Sequence, residues 1–226
     1  MFSTMKYSLS WKNYSKSQII AMNAVLCALV LTFVFFPVSI GVLSLAVIPL
    51  IAVVIAAELF GFVNGMLMGL FFGLCSLISH FVRPGVLSFA FYNPLVSIVP
   101  RVLIGLTSYF AAAGVHTLFM KIAARPTKED KEKSKFRLFA EGTGAEILAS
   151  ATGALVGVLT NTIGVLGIIL AFYFGTPIGS SGSAIGWPWL TAVIVSNSIL
   201  EVAVCTVVTP PIVLAVKKIV KKMARK

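Results

Sequence analysis

Six long apolar windows, at roughly 17–36, 41–57, 59–79, 94–120, 146–174 and 187–216, take up nearly all of this 226-residue chain. A helix crossing the hydrocarbon of a bilayer needs about 20 apolar residues at about 1.5 Å of rise each, and every window approaches or exceeds that. With 58% hydrophobic and 11% charged residues, the chain has too little polar surface for water to be its main solvent. Short segments alternating between apolar and polar residues, the mark of a membrane barrel, are absent. The windows predict an all-α polytopic membrane protein, residues 1–226 forming a single membrane domain with six transmembrane helices in one bundle.

Basic residues orient that bundle. The net charge is +11, and the positions of its lysines and arginines matter more than their number. Lys6, Lys12 and Lys16 precede the first window, a cluster from Lys121 to Arg137 separates the fourth from the fifth, and another runs from Lys217 to Lys226. Six crossings put all three groups on one side, which the positive-inside rule makes cytoplasmic, so both termini are expected there. Residues 122–140 then form a solvated cytoplasmic loop of mixed charge. Only Arg83 and Arg101 fall elsewhere. No aromatics interleave the basic runs as RNA binding would require, so the lipid bilayer is the expected partner and nucleic acid is not. Cys27, Cys75 and Cys205 lie inside windows without metal-ligand spacing, and His80 and His116 are isolated, so neither metal nor cofactor is expected. No cleavable leader pattern precedes the first window, which is expected to be retained.

Polar side chains inside the windows need a reason, because hydrocarbon does not solvate them. Counting from the side opposite the basic clusters, Arg101 lies about 10 Å deep, Asn197 about 15 Å, Asn161 about 20 Å and Glu201 about 21 Å. These depths let three helices converge on one polar cavity. Tyr92 and Asn93, where the aromatic loop 80–92 meets the fourth window, join the set of candidate substrate contacts. An internal Arg101–Glu201 ion pair with asparagines bonding between helices explains the same residues, and both roles can coexist. The loop at 176–189, rich in glycine and serine, ends in Trp187 and Trp189, residues suited to a membrane interface or a lid. Small residues form two stripes: Gly61, Gly65, Gly69 and Gly73 in the third window, and Ala24 and Ala28 in the first. Such stripes permit close backbone approach, within the bundle or to a partner. Asn23 and Asn64 fall near cytoplasmic ends.

Taken together, the Ala24-x-x-x-Ala28 stripe, ELFGFVNGMLMGLFFG ending at Gly73, NPLVSIVPRVLIGL around Arg101, GALVGVLTNTIGVLG around Asn161 and SNSILE ending at Glu201 resemble the substrate-binding S components of energy-coupling factor (ECF) vitamin importers. The resemblance implies a high-affinity binding subunit in the bacterial plasma membrane, working with a transmembrane coupling subunit and two cytosolic ATPases and toppling in the membrane to release its vitamin. It implies partner contact through Ala24, Ala28, Gly61, Gly65 and Gly69. The missing phosphate-binding loop fits that division of labour. Relatives often carry an acidic residue after the glycine stretch, where this chain has Cys75 and Ser76. Length, the basic loop and Arg101 look most like the pantothenate-specific members, with riboflavin or folate as alternatives.

An intramembrane enzyme is disfavoured, because no base, paired carboxylate or metal cluster accompanies Glu201 in the windows. A secondary transporter would show broken helices in two matching halves, and no such repeat is present. The topology predicts that cysteine placed at Lys131 reacts only with reagents that enter the cytoplasm, while cysteine at Ser181 reacts from outside. Labelling of the Lys131 site by an impermeant reagent in intact cells would invert the orientation.

Overall fold

The computed structural model describes residues 14–36, 39–40, 43–44, 47–123, 143–178 and 184–223. Lys6, Lys12, the connector from residue 124 to 142 and the loop tip at 179–183 lie outside them. Helix α1 (Lys16–Phe35) starts with a capping box: Ser15 Oγ accepts from Gln18 N at 3.2 Å, and Gln18 Oε1 accepts from Ser15 N at 2.9 Å. These contacts satisfy two backbone donors that the first turn leaves open. A two-residue antiparallel ribbon, β1 (Ser39–Ile40) and β2 (Leu43–Ser44), pairs Ser39 with Ser44. Then follow α2 (Val47–Phe60), α3 (Phe62–Val82), the single turns α4 (Ser88–Phe91) and α5 (Pro94–Ser97), and α6 (Val99–Ala123). Beyond the connector come α7 (Thr143–Tyr173), α8 (Trp187–Val193), a π-helical turn Ile194–Ser198, and α9 (Ile199–Met223).

The architecture is the expected all-α bundle, with one helix of unexpected length. Five segments are long and apolar enough to cross a membrane: α1, α3, Pro94–Ile122, α7 and Trp187–Ile219. The sixth, α2, has only 14 residues, about 21 Å of helix. The apolar window 41–57 includes the β2 strand, so continuous hydrophobicity overstated the helix. Every α2 residue except Ile48 is buried, because a helix apolar on all sides has no face to give to solvent. Helices α1, α3, α6, α7 and α9 surround it, which makes α2 the axis of the bundle.

Gly61 turns α2 into α3 with φ of 94°, a backbone conformation that a Cβ resists, and so keeps the connection to one residue. The glycine stripe beyond it packs inward, against the expectation of a partner surface at Gly65 and Gly69. A Cβ on Gly65 would lie 3.0 Å from the Gly105 Cα, and one on Gly69 would lie 2.1 Å from the Arg101 carbonyl oxygen. Gly73 repeats the contact, 2.8 Å from the Ile98 Cα. The stripe is therefore consumed by the α3–α6 crossing, the internal use that small residues also serve. Ala24 and Ala28, by contrast, are exposed on α1, only 11% of whose hydrophobic window is buried. Asn23 and Asn64 donate to carbonyls of their own helices, those of Ile19 and Phe60.

Helix α9 contains Pro210 and Pro211, which remove two backbone donors from its middle, while the preceding π turn inserts an irregular register between Trp187 and Glu201. These packing contrasts predict opposite outcomes for two bulky substitutions. Gly69→Leu should drive α3 from α6 and lower the thermal stability of the detergent-purified protein by several degrees or abolish folding. Ala24→Leu should leave unfolding within about a degree of wild type, as surface substitutions generally do. A stable Gly69→Leu protein would show that the crossing is not close.

Candidate functional site

At the end of the bundle where α1 and α3 finish and α6 begins, a cavity of about 320 Å³ opens between five long helices and α2. Its polar lining comprises Ser76, Ser79 and His80 of α3, Arg83 at the α3 cap, Arg101 of α6, Asn161 of α7 and Glu201 of α9. Phe33, Leu50 and Phe72 contribute apolar wall. Three residues singled out by depth in the sequence, Arg101, Asn161 and Glu201, thus share one space.

Arg101 is 7% exposed and is held from several directions. One terminal nitrogen donates to the Val96 carbonyl on α5, while its guanidinium carbon lies 5.6 Å from the Phe72 ring centre and 5.5 Å from that of Phe91. Each cation–aromatic contact of this kind contributes from about 0.5 to 2 kcal/mol, more as water is excluded. Asn93 caps α5 by accepting from Leu95 N at 3.0 Å, and Pro94 supplies the fixed φ of the first helical position. This short turn presents the Val96 carbonyl to Arg101. Arg101 Nε and Asn161 Oδ1 are buried without a hydrogen-bond partner. Unpaired buried polar atoms carry a desolvation cost of about 1–3 kcal/mol each, which a hydrogen-bonding partner at either atom would offset.

The Arg101–Glu201 ion pair, the alternative role for these residues, is not formed: among the described residues no ion pair joins them, although their charges attract through space. Apart from the nitrogen bonded to Val96, the guanidinium is left without a carboxylate partner. Tyr92 and Asn93 do not line the cavity. Tyr92 stacks on Phe81 with ring centres 4.6 Å apart, and Asn93 serves the cap described above. The backbone of Asn197 belongs to the π turn, and its side chain lies outside the described part of the structure.

Sequence reasoning missed the α3 contribution. Ser76, Ser79, His80 and Arg83 follow helical spacing and share one face, a signal present in the sequence but masked by the glycine stripe that precedes it. His80 is fixed by stacking on Phe91 at 4.4 Å and by a 2.9 Å hydrogen bond between Nδ1 and Ser88 Oγ. Trp187 is 67% exposed, whereas Trp189 packs on the cluster around Val96 and Ile169. The two tryptophans therefore have different environments.

A second polar group occupies the opposite end of the bundle. Glu58, the last-turn carboxylate of α2, is fully buried, with neither oxygen in a hydrogen bond. Ser150 and Lys217 are its polar surroundings, and the missing side chain of Gly153 gives it room. Lys217, the first residue of the C-terminal basic cluster, is 2% exposed and lies 3.8 Å from Glu146. Tyr14 closes this group ahead of α1, edge-on to Phe60, and burial together with the Glu146 charge pushes its phenol up to about 12. The apolar bulk of α2 separates the two polar ends. Removing one member of a buried ionic group leaves the others uncompensated, at a typical cost of about 3–5 kcal/mol. Lys217→Met should therefore lower thermal stability sharply, and adding Glu146→Leu, which removes the carboxylate left without its partner, should recover part of it. Equal stability of wild type and Lys217→Met would show the group to be solvated.

A wholly apolar groove of about 570 Å³ lies between α1, α2 and α9 and includes Ala21, Val25 and Ile212. Residues 18–213 match the family model described as ECF transporter, substrate-specific component. No curated protein matches the chain.

Proposed function

The chain belongs to the substrate-specific components of ECF transporters, and from that premise we propose that the Arg101 cavity holds its substrate and that the substrate is pantothenate. Subunits of this family bind substrate for transport and are not enzymes; an ECF coupling and ATPase module supplies the energy. The observation that carries the cavity assignment is Arg101: buried, over the rings of Phe72 and Phe91, and with a guanidinium nitrogen left unpaired. A planar guanidinium fork matches a carboxylate with two parallel hydrogen bonds, which an ammonium cannot reproduce. Asn161, Ser76, Ser79 and His80 offer donors and acceptors for hydroxyl and amide groups. Pantothenate has a carboxylate, hydroxyls and an amide. The lack of an Arg101–Glu201 ion pair favours an acidic ligand over riboflavin, which carries no formal charge. Folate shares the carboxylate chemistry.

In this reading the Arg101 end faces outward across the plasma membrane and the Lys217 end faces the cytoplasm, in keeping with the positive-inside rule. The exposed α1 face with Ala24 and Ala28 meets the coupling subunit. Asn197 is assigned to the substrate set with Arg101 and Asn161, and Glu201 supports it by its charge. Arg101→Lys should weaken pantothenate binding at least tenfold, because charge survives but the bidentate geometry does not. Calorimetry comparing pantothenate with its alcohol analogue decides the matter. Equal affinity of wild type for both compounds, or equal weakening of both in Arg101→Lys, sinks the carboxylate assignment.

A further inference from the structure

Arg83 lines the same cavity as Arg101 but is held quite differently. It caps α3 at the mouth and is exposed, with its guanidinium carbon 5.5 Å from the ring centre of Phe36 at the end of α1. Among the described residues no ion pair or hydrogen bond restrains its side chain. An exposed cation–aromatic contact is weak, so the side chain can leave Phe36 at little cost.

The cavity's charge does not balance. Two guanidinium cations, Arg83 and Arg101, face one carboxylate, Glu201, leaving one positive charge in excess. Protonation of Glu201 or of His80, the other titratable groups in the lining, would only add to that excess. The sign is therefore positive in every protonation state of the lining, and apolar walls such as Phe33, Leu50 and Phe72 weaken solvent screening within it.

Building on the proposed substrate cavity, we propose that Arg83 is its steering and charge-selecting residue: it draws an anionic ligand to the mouth and disfavours cations, while Arg101 retains the ligand below. The division follows from position. A charge at a solvated rim acts on the association rate and is screened by salt, whereas a buried hydrogen-bonded charge acts on dissociation. Arg83 is a selectivity determinant distinct from the residue that grips the carboxylate.

The test uses the full chain in detergent or nanodiscs, with association and dissociation rates measured by stopped flow at low and high salt. The probes are pantothenate as a monoanion, folate as an anion of higher charge, riboflavin and the alcohol analogue of pantothenate as uncharged compounds, and thiamine as a cation. Wild type should bind an anion with an association rate that falls as salt rises. Arg83→Gln should slow that association by about tenfold and flatten its salt dependence, with dissociation changed by less than about twofold. Arg83→Lys should retain most of the wild-type rate, because steering needs charge and not a planar fork. Thermal unfolding of each variant checks that it is folded. Salt-independent association of wild type, an Arg83→Gln effect confined to dissociation, a preferred ligand that is neutral or cationic, or no anion binding at all would each overturn the proposal. If folate but not pantothenate binds with the Arg83 signature, the pantothenate reading fails and the steering role stands. If pantothenate binds and Arg83→Gln associates as fast as wild type, the reverse holds.

Discussion

With Gly65 opposite Gly105 and Gly69 opposite the Arg101 carbonyl, α3 and α6 approach until backbone meets backbone. Phe72 lies within reach of the Arg101 guanidinium because Gly69 and Gly73, flanking it along α3, add no side chain at the crossing. The residues that follow at helical spacing, Ser76, Ser79, His80 and Arg83, are then carried up the wall of the same cavity. In lipid, where water offers no hydrophobic drive to helix pairing, such close packing is a main source of association.

Arg101 shows how a bilayer protein keeps a cation without neutralising it. A direct carboxylate partner would stabilise the charge and also occupy it. Here a backbone carbonyl and two aromatic faces stabilise the guanidinium, while Glu201 attracts it without contact. Aromatic faces supply negative potential without competing for the planar hydrogen-bonding edge. The arrangement leaves that edge free of an internal carboxylate, at the cost of an unpaired buried donor.

The two ends of the bundle divide polar chemistry between them, with α2 as the partition. Val53, Val54 and Ala56 on α2 are fully buried, and Ile104 and Val158 pack in the same core. A solute in the Arg101 cavity therefore meets packed apolar side chains in the direction of Glu58. Opening a path there would require dismantling a close-packed interior. Under the proposed function, reorientation of the whole subunit, with its sparsely buried α1 face turned to the coupling subunit, would leave that core intact.

Hydrophobic length and the placement of charge determined, without any coordinates, that this chain is a helical bundle for a bilayer and which of its polar residues share a depth. Both properties are local sums along the sequence, so Arg101, Asn161 and Glu201 could be grouped by helix rise alone. Residue spacing also exposed the small-residue stripes, but a stripe looks the same whether it meets a neighbouring helix or another protein. Only packing decided that Gly65 and Gly69 are spent on α6 while Ala24 and Ala28 stay outside. Tertiary structure likewise shortened α2, turned Asn93 into a cap, buried Lys217 beside Glu146, and brought Arg83 into the cavity of Arg101. Each of these depends on which residues distant in sequence come to face one another, and a one-dimensional pattern of polarity does not contain that angular information.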